Sequence, residues 1–321
     1  MICDLYFHRC NLSGGQTGFC RARACQDGKI VPLNYGKITS IALDPVEKKP
    51  LRRFHPGSKI LSVGSFGCNL SCPFCQNHEI SMSGEKELET AELSPEALVD
   101  KALELRLYGN IGVAYTYNEP LVGYEYVRDC SALVRERGMV NVLVTNGTIE
   151  EAPWRALTPL IDAVNIDLKG FTPEWYQRLG GDLETVKRSI SLAAERCHVE
   201  VTTLLVPGEN DSAEEVTALA QWLASVDQNI PLHLSRFFPR YRMTDKPATP
   251  ETRCQGLFNT VHRIFKISTR QKPEALQLPA FFSMLPIYQL LYGIGSQLFL
   301  YSLYSKDKNH NSISSEKNKC F

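Results

Sequence analysis

Between residues 59 and 238 the chain alternates runs that suit a strand with stretches that suit a helix, and this rhythm restricts the fold more than any other feature. The strand-like runs, rich in β-branched residues, are Lys59–Phe66, Gly112–Tyr117, Val140–Thr145, Ala163–Leu168, Val199–Val206 and Pro231–Phe237. Helical patterns lie between them, at roughly 94–108, 122–137, 150–160, 174–196 and 212–226. Ser94 followed by Pro95 and Glu96 is a helix start signal, and Ser212 ahead of Glu214 and Glu215 repeats it. Strands joined through helices run parallel, because a parallel crossover needs about a dozen residues or more. The expected class is α/β. An open doubly wound sheet and a full or partial barrel both satisfy the pattern, and both gather active groups at the carboxyl ends of the strands.

The residues at those ends fit that expectation. Successive runs are followed by Gly67-Cys68, Asn118-Glu119-Pro120, Asn146-Gly147, Asp167-Leu168-Lys169-Gly170, Pro207-Gly208 with Asn210 and Asp211, and Arg236 with Pro239. Glycine, asparagine and proline there are also ordinary turn chemistry. The pair Asp167 and Lys169 is either a structural ion pair or part of a site. Glu119 also stands where it would cap a following helix. Phe74 has a core role as its plain alternative, and His233 reads as a satisfied core histidine.

Residues 67–77 read Gly-Cys-Asn-Leu-Ser-Cys-Pro-Phe-Cys-Gln-Asn, a C-x3-C-x2-C spacing directly after a strand. Soft thiolates on a tight loop suit zinc or an iron–sulfur cluster. Structural zinc and ordinary cubane clusters take four protein ligands. Here three thiolates are local: Cys68, Cys72 and Cys75. On a four-iron cube they leave one iron open to bind a substrate or cofactor. A zinc site with a distant fourth ligand is the competing reading, as is an iron–sulfur protein without further chemistry. The early cysteines Cys3, Cys10, Cys20 and Cys25 match in number a structural zinc or second cluster, or they pack as a plain extension. Cys130, Cys197, Cys254 and Cys320 are scattered, as small buried hydrophobes are.

The motif Cys68-x3-Cys72-x2-Cys75 with Phe74 resembles the cluster loop of the radical S-adenosylmethionine (SAM) superfamily. Over roughly residues 1–250 the chain is similar to the AmmeMemoRadiSam-system radical SAM enzymes, which are themselves similar to pyruvate formate-lyase activating enzymes. Asn34-Tyr35-Gly36-Lys37, Ala42 to Leu51, Pro56-Gly57-Ser58, Gly67-Cys68-Asn69-Leu70 and Tyr117-Asn118-Glu119-Pro120 carry this resemblance. It implies a partial (β/α)6 barrel with a cysteine-containing N-terminal extension. It implies a [4Fe–4S] cluster held by Cys68, Cys72 and Cys75, whose open iron chelates SAM. It also implies reductive cleavage of SAM to a 5′-deoxyadenosyl radical, with a reductant such as flavodoxin or ferredoxin supplying the electron. By position, Asn118 and Glu119 stand where the family binds the SAM amino group, and Thr145 and Asn146 near its ribose and methionine parts. Asp167 and Lys169 match an Asp-x-Lys near SAM, and Phe74 is placed to touch the adenine. Where the family has a second N-terminal cysteine this chain has Tyr6.

The 321 residues divide, on this reading, into an extension (1–57), a radical SAM core (58–250) and a divergent tail (251–321). With 35 basic and 35 acidic side chains the formal net charge is zero, so charge favours neither nucleic acid nor an anionic membrane as partner. The first ten residues lack the pattern of a secretory signal, which favours the cytoplasm and reduced thiols. Ala275–Ser305 carries no charge and is long enough to span a bilayer, although Pro279 and Pro286 weaken it as a span.

Overall fold

The computed structural model describes residues 1–265. The strands are β1 (Arg23–Gln26), β2 (Lys29–Pro32), β3 (Lys37–Ile38), β4 (Ser40–Pro45), β5 (Lys59–Gly64), β6 (Ala91–Glu92), β7 (Asn110–Tyr115), β8 (Val140–Thr145), β9 (Ala163–Asp167), β10 (His198–Leu205) and β11 (Leu232–Arg236). The helices are α1 (His78–Ser81), α2 (Pro95–Glu104), α3 (Tyr124–Glu136), α4 (Glu151–Leu157), α5 (Pro173–Arg178), α6 (Leu183–Ala194), α7 (Ala213–Val226) and α8 (Glu251–Ile264).

One sheet carries the architecture, in the order β11-β10-β9-β8-β7-β5-β4. The strands β5, β7, β8, β9, β10 and β11 are parallel neighbours in chain order, and β4 is antiparallel on the edge beside β5. A doubly wound sheet reverses its strand order at a switch point. This order never reverses, so right-handed crossovers place every connecting helix on the same face. The result is a partial barrel of six βα-type strands, open between β4 and β11.

The expected helix starts are present, with Ser94 Oγ accepting from Ala97 N–H and Ser212 Oγ from Glu215 N–H. The stretch 174–196, expected as one helix, is two. Gly180 adopts φ +71° and ends α5, and Asp182 then caps α6 by accepting from Thr185 N–H. In residues 1–57, β4 joins the main sheet and β1 with β2 forms a hairpin. In residues 251–265, α8 packs on α7 and β11 with Cys254, Leu257 and Val261 buried. Among the described residues no helix is long and apolar enough to cross a membrane. Ala275–Ser305 and Cys320 lie outside the described residues.

The segment after β4 plugs the amino-terminal end of the barrel. Val46 and Leu51 pack there against Ile60, Ala114, Val142 and Ala163. Glu200 of β10 fastens the plug. Its carboxylate is fully buried and accepts from Arg52 N–H (2.9 Å) and Arg53 N–H (2.7 Å), and it bonds the His198 and His233 rings. Burial alone would raise its pKa, but the bonds from His198, His233 and the two N–H groups outweigh it and hold the value down to about 2. A carboxyl held below its unfolded value adds stability that is present above that value and is lost as pH falls toward the folded pKa. This group alone should remove about 3 kcal/mol as pH falls from about 5 to about 2. Urea melts at several acidic pH values should show a shallower loss in Glu200→Gln than in wild type. Equal slopes would contradict the latch.

Candidate functional site

The three cysteines lie on the loop that leaves the carboxyl end of β5, and neighbouring groups fix that loop at each step. Gly67 has φ +86°, and a Cβ there would lie 2.5 Å from Cys20 O and 2.8 Å from Ala22 Cβ. Only glycine lets the loop pass so close to the N-terminal extension. Asn118 braces the same turn. Its Oδ1 accepts from Ser65 N–H (3.0 Å), and its Nδ2 donates to Phe66 O, Gly67 O and Glu119 O (3.1, 3.0 and 3.2 Å). Farther on, Cys68 N–H donates to Cys20 O (3.1 Å), Ser71 N–H to Leu179 O (2.8 Å) and Arg242 N–H to Pro73 O (2.9 Å).

The thiols occupy an apolar setting. Cys72 and Phe74 belong to a buried cluster with Leu70, Trp175, Leu179, Val206, Phe237 and Met243, and Cys68 and Cys75 pack against it. Phe74 stacks on Trp175 (centroids 5.9 Å, 13°) and meets Phe237 edge-on (6.5 Å, 90°). These contacts pack Phe74 into the apolar wall beside the cysteine loop. Burial raises all three thiols, Cys72 to about 12, with Lys169 opposing the rise at Cys72 and Cys75. Thiols raised in this way would give up protons on binding a metal as thiolates.

Beside Cys68 sits a polar network from the ends of β7 and β8. Glu119 is buried and accepts from Thr145 Oγ1 (2.7 Å), Asn146 N–H (2.7 Å) and Leu121 N–H (3.0 Å). Its bond to Leu121 caps the short 3-10 helix Pro120–Gly123. Burial pushes Glu119 up to about 7 against the pull of those donors, and Asp167 adds to the rise. Asn146 Nδ2 donates to Asn69 Oδ1 (2.7 Å) and lies 3.7 Å from Cys68 Sγ. Asn69 Nδ2 in turn donates to Thr148 O (2.7 Å), and the His8 ring bonds Asn69 O (2.9 Å).

Asp167 and Lys169 form an ion pair (Nζ–Oδ2 2.6 Å) on the side of Cys72 and Cys75. Burial opposes the Lys169 charge, but Asp167 and the two cysteines outweigh it and raise its pKa. The Lys169 backbone is clamped as well. Its N–H donates to Tyr176 OH (2.9 Å), and its carbonyl accepts from Trp175 Nε1 (2.8 Å) and Asn210 Nδ2 (2.7 Å). The structure therefore gathers Cys68, Cys72, Cys75, Glu119, Thr145, Asn146, Asp167 and Lys169 at one end of the barrel. Asn69, in the cysteine loop, and Asn210, at a strand end, stand out in the sequence without a site role of their own, and Tyr176 and Trp175 carry no sequence signal.

Among the described residues, no three His, Cys, Asp or Glu side chains meet around a point that a single metal ion would occupy. A cube differs from a single ion, because each cysteine takes its own iron at a separate corner. Three soft donors on one fixed loop, Cys72 buried and Cys68 and Cys75 half-buried, with a cation alongside, fit such a cluster. Cys3, Cys10, Cys20 and Cys25 also do not meet around a single-ion point. The buried Tyr6 phenol interacts with Cys20 and Cys3.

Comparison with known proteins gives the following. The family described as the Radical SAM superfamily matches residues 62–222. An uncharacterized protein of Methanocaldococcus jannaschii is 39% identical over 250 residues, covering 77% of this chain and 74% of its own length. Pyruvate formate-lyase 1-activating enzyme of Escherichia coli K12 is 26% identical over 188 residues, covering 56% of this chain and 75% of that enzyme. Among solved structures, Streptococcus suis SuiB aligns with a TM-score of 0.50 at 12% identity, over 64% of this chain and 46% of that one. That last likeness concerns the fold alone.

Proposed function

This chain belongs to the radical SAM superfamily, and on that premise we propose how its own residues carry the family's chemistry. It is an enzyme that uses a [4Fe–4S] cluster and SAM. Together with one electron, that pair of groups supplies reductive cleavage of the sulfonium to methionine and a 5′-deoxyadenosyl radical, which takes a hydrogen atom from a substrate.

Cys68, Cys72 and Cys75 would hold the cluster, with SAM bound at it in place of a fourth protein ligand. Lys169 balances part of the thiolate charge, and Asp167 holds Lys169 in place. Glu119 fixes the Thr145-Asn146 turn, so that Asn146 reaches toward Cys68 and both residues border the cofactor. Asn118 and Phe74 support the site from behind, Asn118 through the loop backbone and Phe74 through the apolar wall. The observation that carries this reading is the convergence of the cysteine loop, the Glu119 network and the Asp167–Lys169 pair at one end of the barrel.

The division of labour follows. Residues 58–250 carry the chemistry, residues 1–57 brace the cluster loop, and no role is assigned to residues 251–321. A site that works through reduced thiolates suits the cytoplasm. The first substrate class to test is a protein glycine, by analogy with a relative that by its name activates pyruvate formate-lyase 1. A small molecule is the second.

Anaerobic reconstitution with iron and sulfide, followed by dithionite and SAM, should yield 5′-deoxyadenosine, and cell extract should raise the yield if it contains substrate. A fully reconstituted protein that makes none, with or without extract, refutes the reading.

A further inference from the structure

The electron that starts the reaction comes from outside, so the place where the cysteine loop reaches the surface has a function of its own. Cys72 and Phe74 are buried, whereas Gln76, next to Cys75, is exposed. Over this strip lies the turn Arg240–Met243, which follows β11. Arg242 N–H bonds Pro73 O (2.9 Å), and Arg240 Nη1 reaches Gln76 O (3.4 Å). These two contacts flank Cys75 in the chain. Tyr241 stacks on His78 (4.4 Å, 23°).

The side chains of Arg240 and Arg242 are exposed and form no ion pair among the described residues, whereas Arg178, Lys246, Arg253 and Arg236 are paired. Arg178 and Lys246 share Glu209, Arg253 holds Asp211, and Arg236 holds Glu251. The exposed acids in the neighbouring sequence are Glu79 and Asp245. Phe238, 40% exposed, adds apolar surface beside the two arginines. Arginine with aromatic residues is the composition of interface hot spots.

We propose that Arg240, Arg242, Tyr241 and Phe238 form the docking surface for an acidic, one-electron carrier protein. This rests on the three-cysteine cluster reading above. Electron transfer weakens steeply with distance, and this strip lies directly over the Cys75 segment. The chain as a whole is neutral, so attraction must come from a local patch. The reduced carrier loses one electron and the cluster gains it.

The test compares wild type, R240E/R242E and the control R52E/K59E, whose exposed cations lie at the plugged end of the barrel. Each protein is reconstituted and checked for iron content. It is then driven to make 5′-deoxyadenosine either by dithionite or by a flavodoxin and its NADPH-dependent reductase. Flavodoxin binding is measured separately by calorimetry at low and high salt. The dithionite rate per bound iron is each protein's own reference, since Arg240 Nη1 also touches Gln76 O, and the flavodoxin-driven rate is read relative to it. With flavodoxin at low salt, R240E/R242E should be slower by about tenfold or more and bind correspondingly weaker, and high salt should narrow the gap. The control should track wild type. Flavodoxin-driven rates and affinities that are unchanged in R240E/R242E, or reduced equally in the control, overturn the proposal. If dithionite yields no 5′-deoxyadenosine even in wild type, the cluster reading fails instead, and the binding comparison still judges the surface.

Discussion

Cys72→Ala should purify as a folded protein that holds little iron after reconstitution and makes no 5′-deoxyadenosine above background. The expectation has two parts. Cys72 sits among Leu70, Phe74, Trp175 and Leu179, so the replacement removes one sulfur from an apolar cluster and leaves a small cavity. A free buried cysteine behaves as a small hydrophobe, and the cost to folding should be about 1–2 kcal/mol. The chemical loss is of another order. With two thiolates left, one more iron lacks a protein ligand and the cube has no firm anchor. Circular dichroism and thermal melts separate the two effects, and iron and sulfide assays with product analysis read the second. A Cys72→Ala protein that keeps a full cluster and wild-type turnover removes this residue from the ligand set.

Glu119→Ala should be the most damaging single change outside the cysteines. Three donors converge on this carboxylate: the Thr145 hydroxyl and the N–H groups of Asn146 and Leu121. The side chain is 3% exposed, so water cannot readily replace it. Leaving buried donors unsatisfied costs about 1–3 kcal/mol each, and together these should remove about 3–5 kcal/mol. The functional loss should be larger than stability alone predicts, because Asn146 would no longer be held 3.7 Å from Cys68 Sγ. Glu119→Gln keeps the volume but points an amide N–H at one of the same donors, so it should fall between wild type and alanine. Urea melts give the stability order. 5′-Deoxyadenosine formation at a temperature where all three proteins are folded gives the functional order. Were Glu119→Ala as stable and as active as wild type, the network would have no part in holding the site.

Glu119 also shows what a sequence can and cannot disclose. Its place after a strand, between Asn118 and Pro120, marks it as a site residue. That its carboxylate binds the next strand-end turn depends on β7 and β8 being neighbours, which no local pattern states. Asp167 and Lys169 were legible for a simpler reason, because two opposite charges at a buried strand end need a partner or a task. The backbone clamp on Lys169 was hidden, since Tyr176 and Asn210 approach from separate segments. At the level of fold, the strand and helix rhythm announced six parallel strands but not their closure. Strand order decides between barrel and open sheet, and hydrophobic periodicity carries no order. The edge strand β4 escaped although Ser40–Pro45 is as long as β5, because its place is fixed by antiparallel pairing with β5 and not by the strand–helix rhythm. The β1–β2 hairpin does carry a local signal in Asp27-Gly28, which adopt φ +48° and +70°. Strands of four residues alternate too briefly to support that signal alone. Phe74 shows the same limit, since its packing partners Trp175 and Phe237 come from distant segments that its position beside Cys75 does not announce.

The most direct test is metal and sulfide analysis of the anaerobically purified and reconstituted chain, followed by electron paramagnetic resonance of the reduced protein before and after adding SAM. The account predicts about four irons and four sulfides per chain, as one cubane requires. It also predicts a reduced-cluster signal that changes shape when SAM is added, since a ligand has then joined the open iron. Zinc in place of iron at the Cys68–Cys75 loop, or a cluster signal indifferent to SAM, would contradict it.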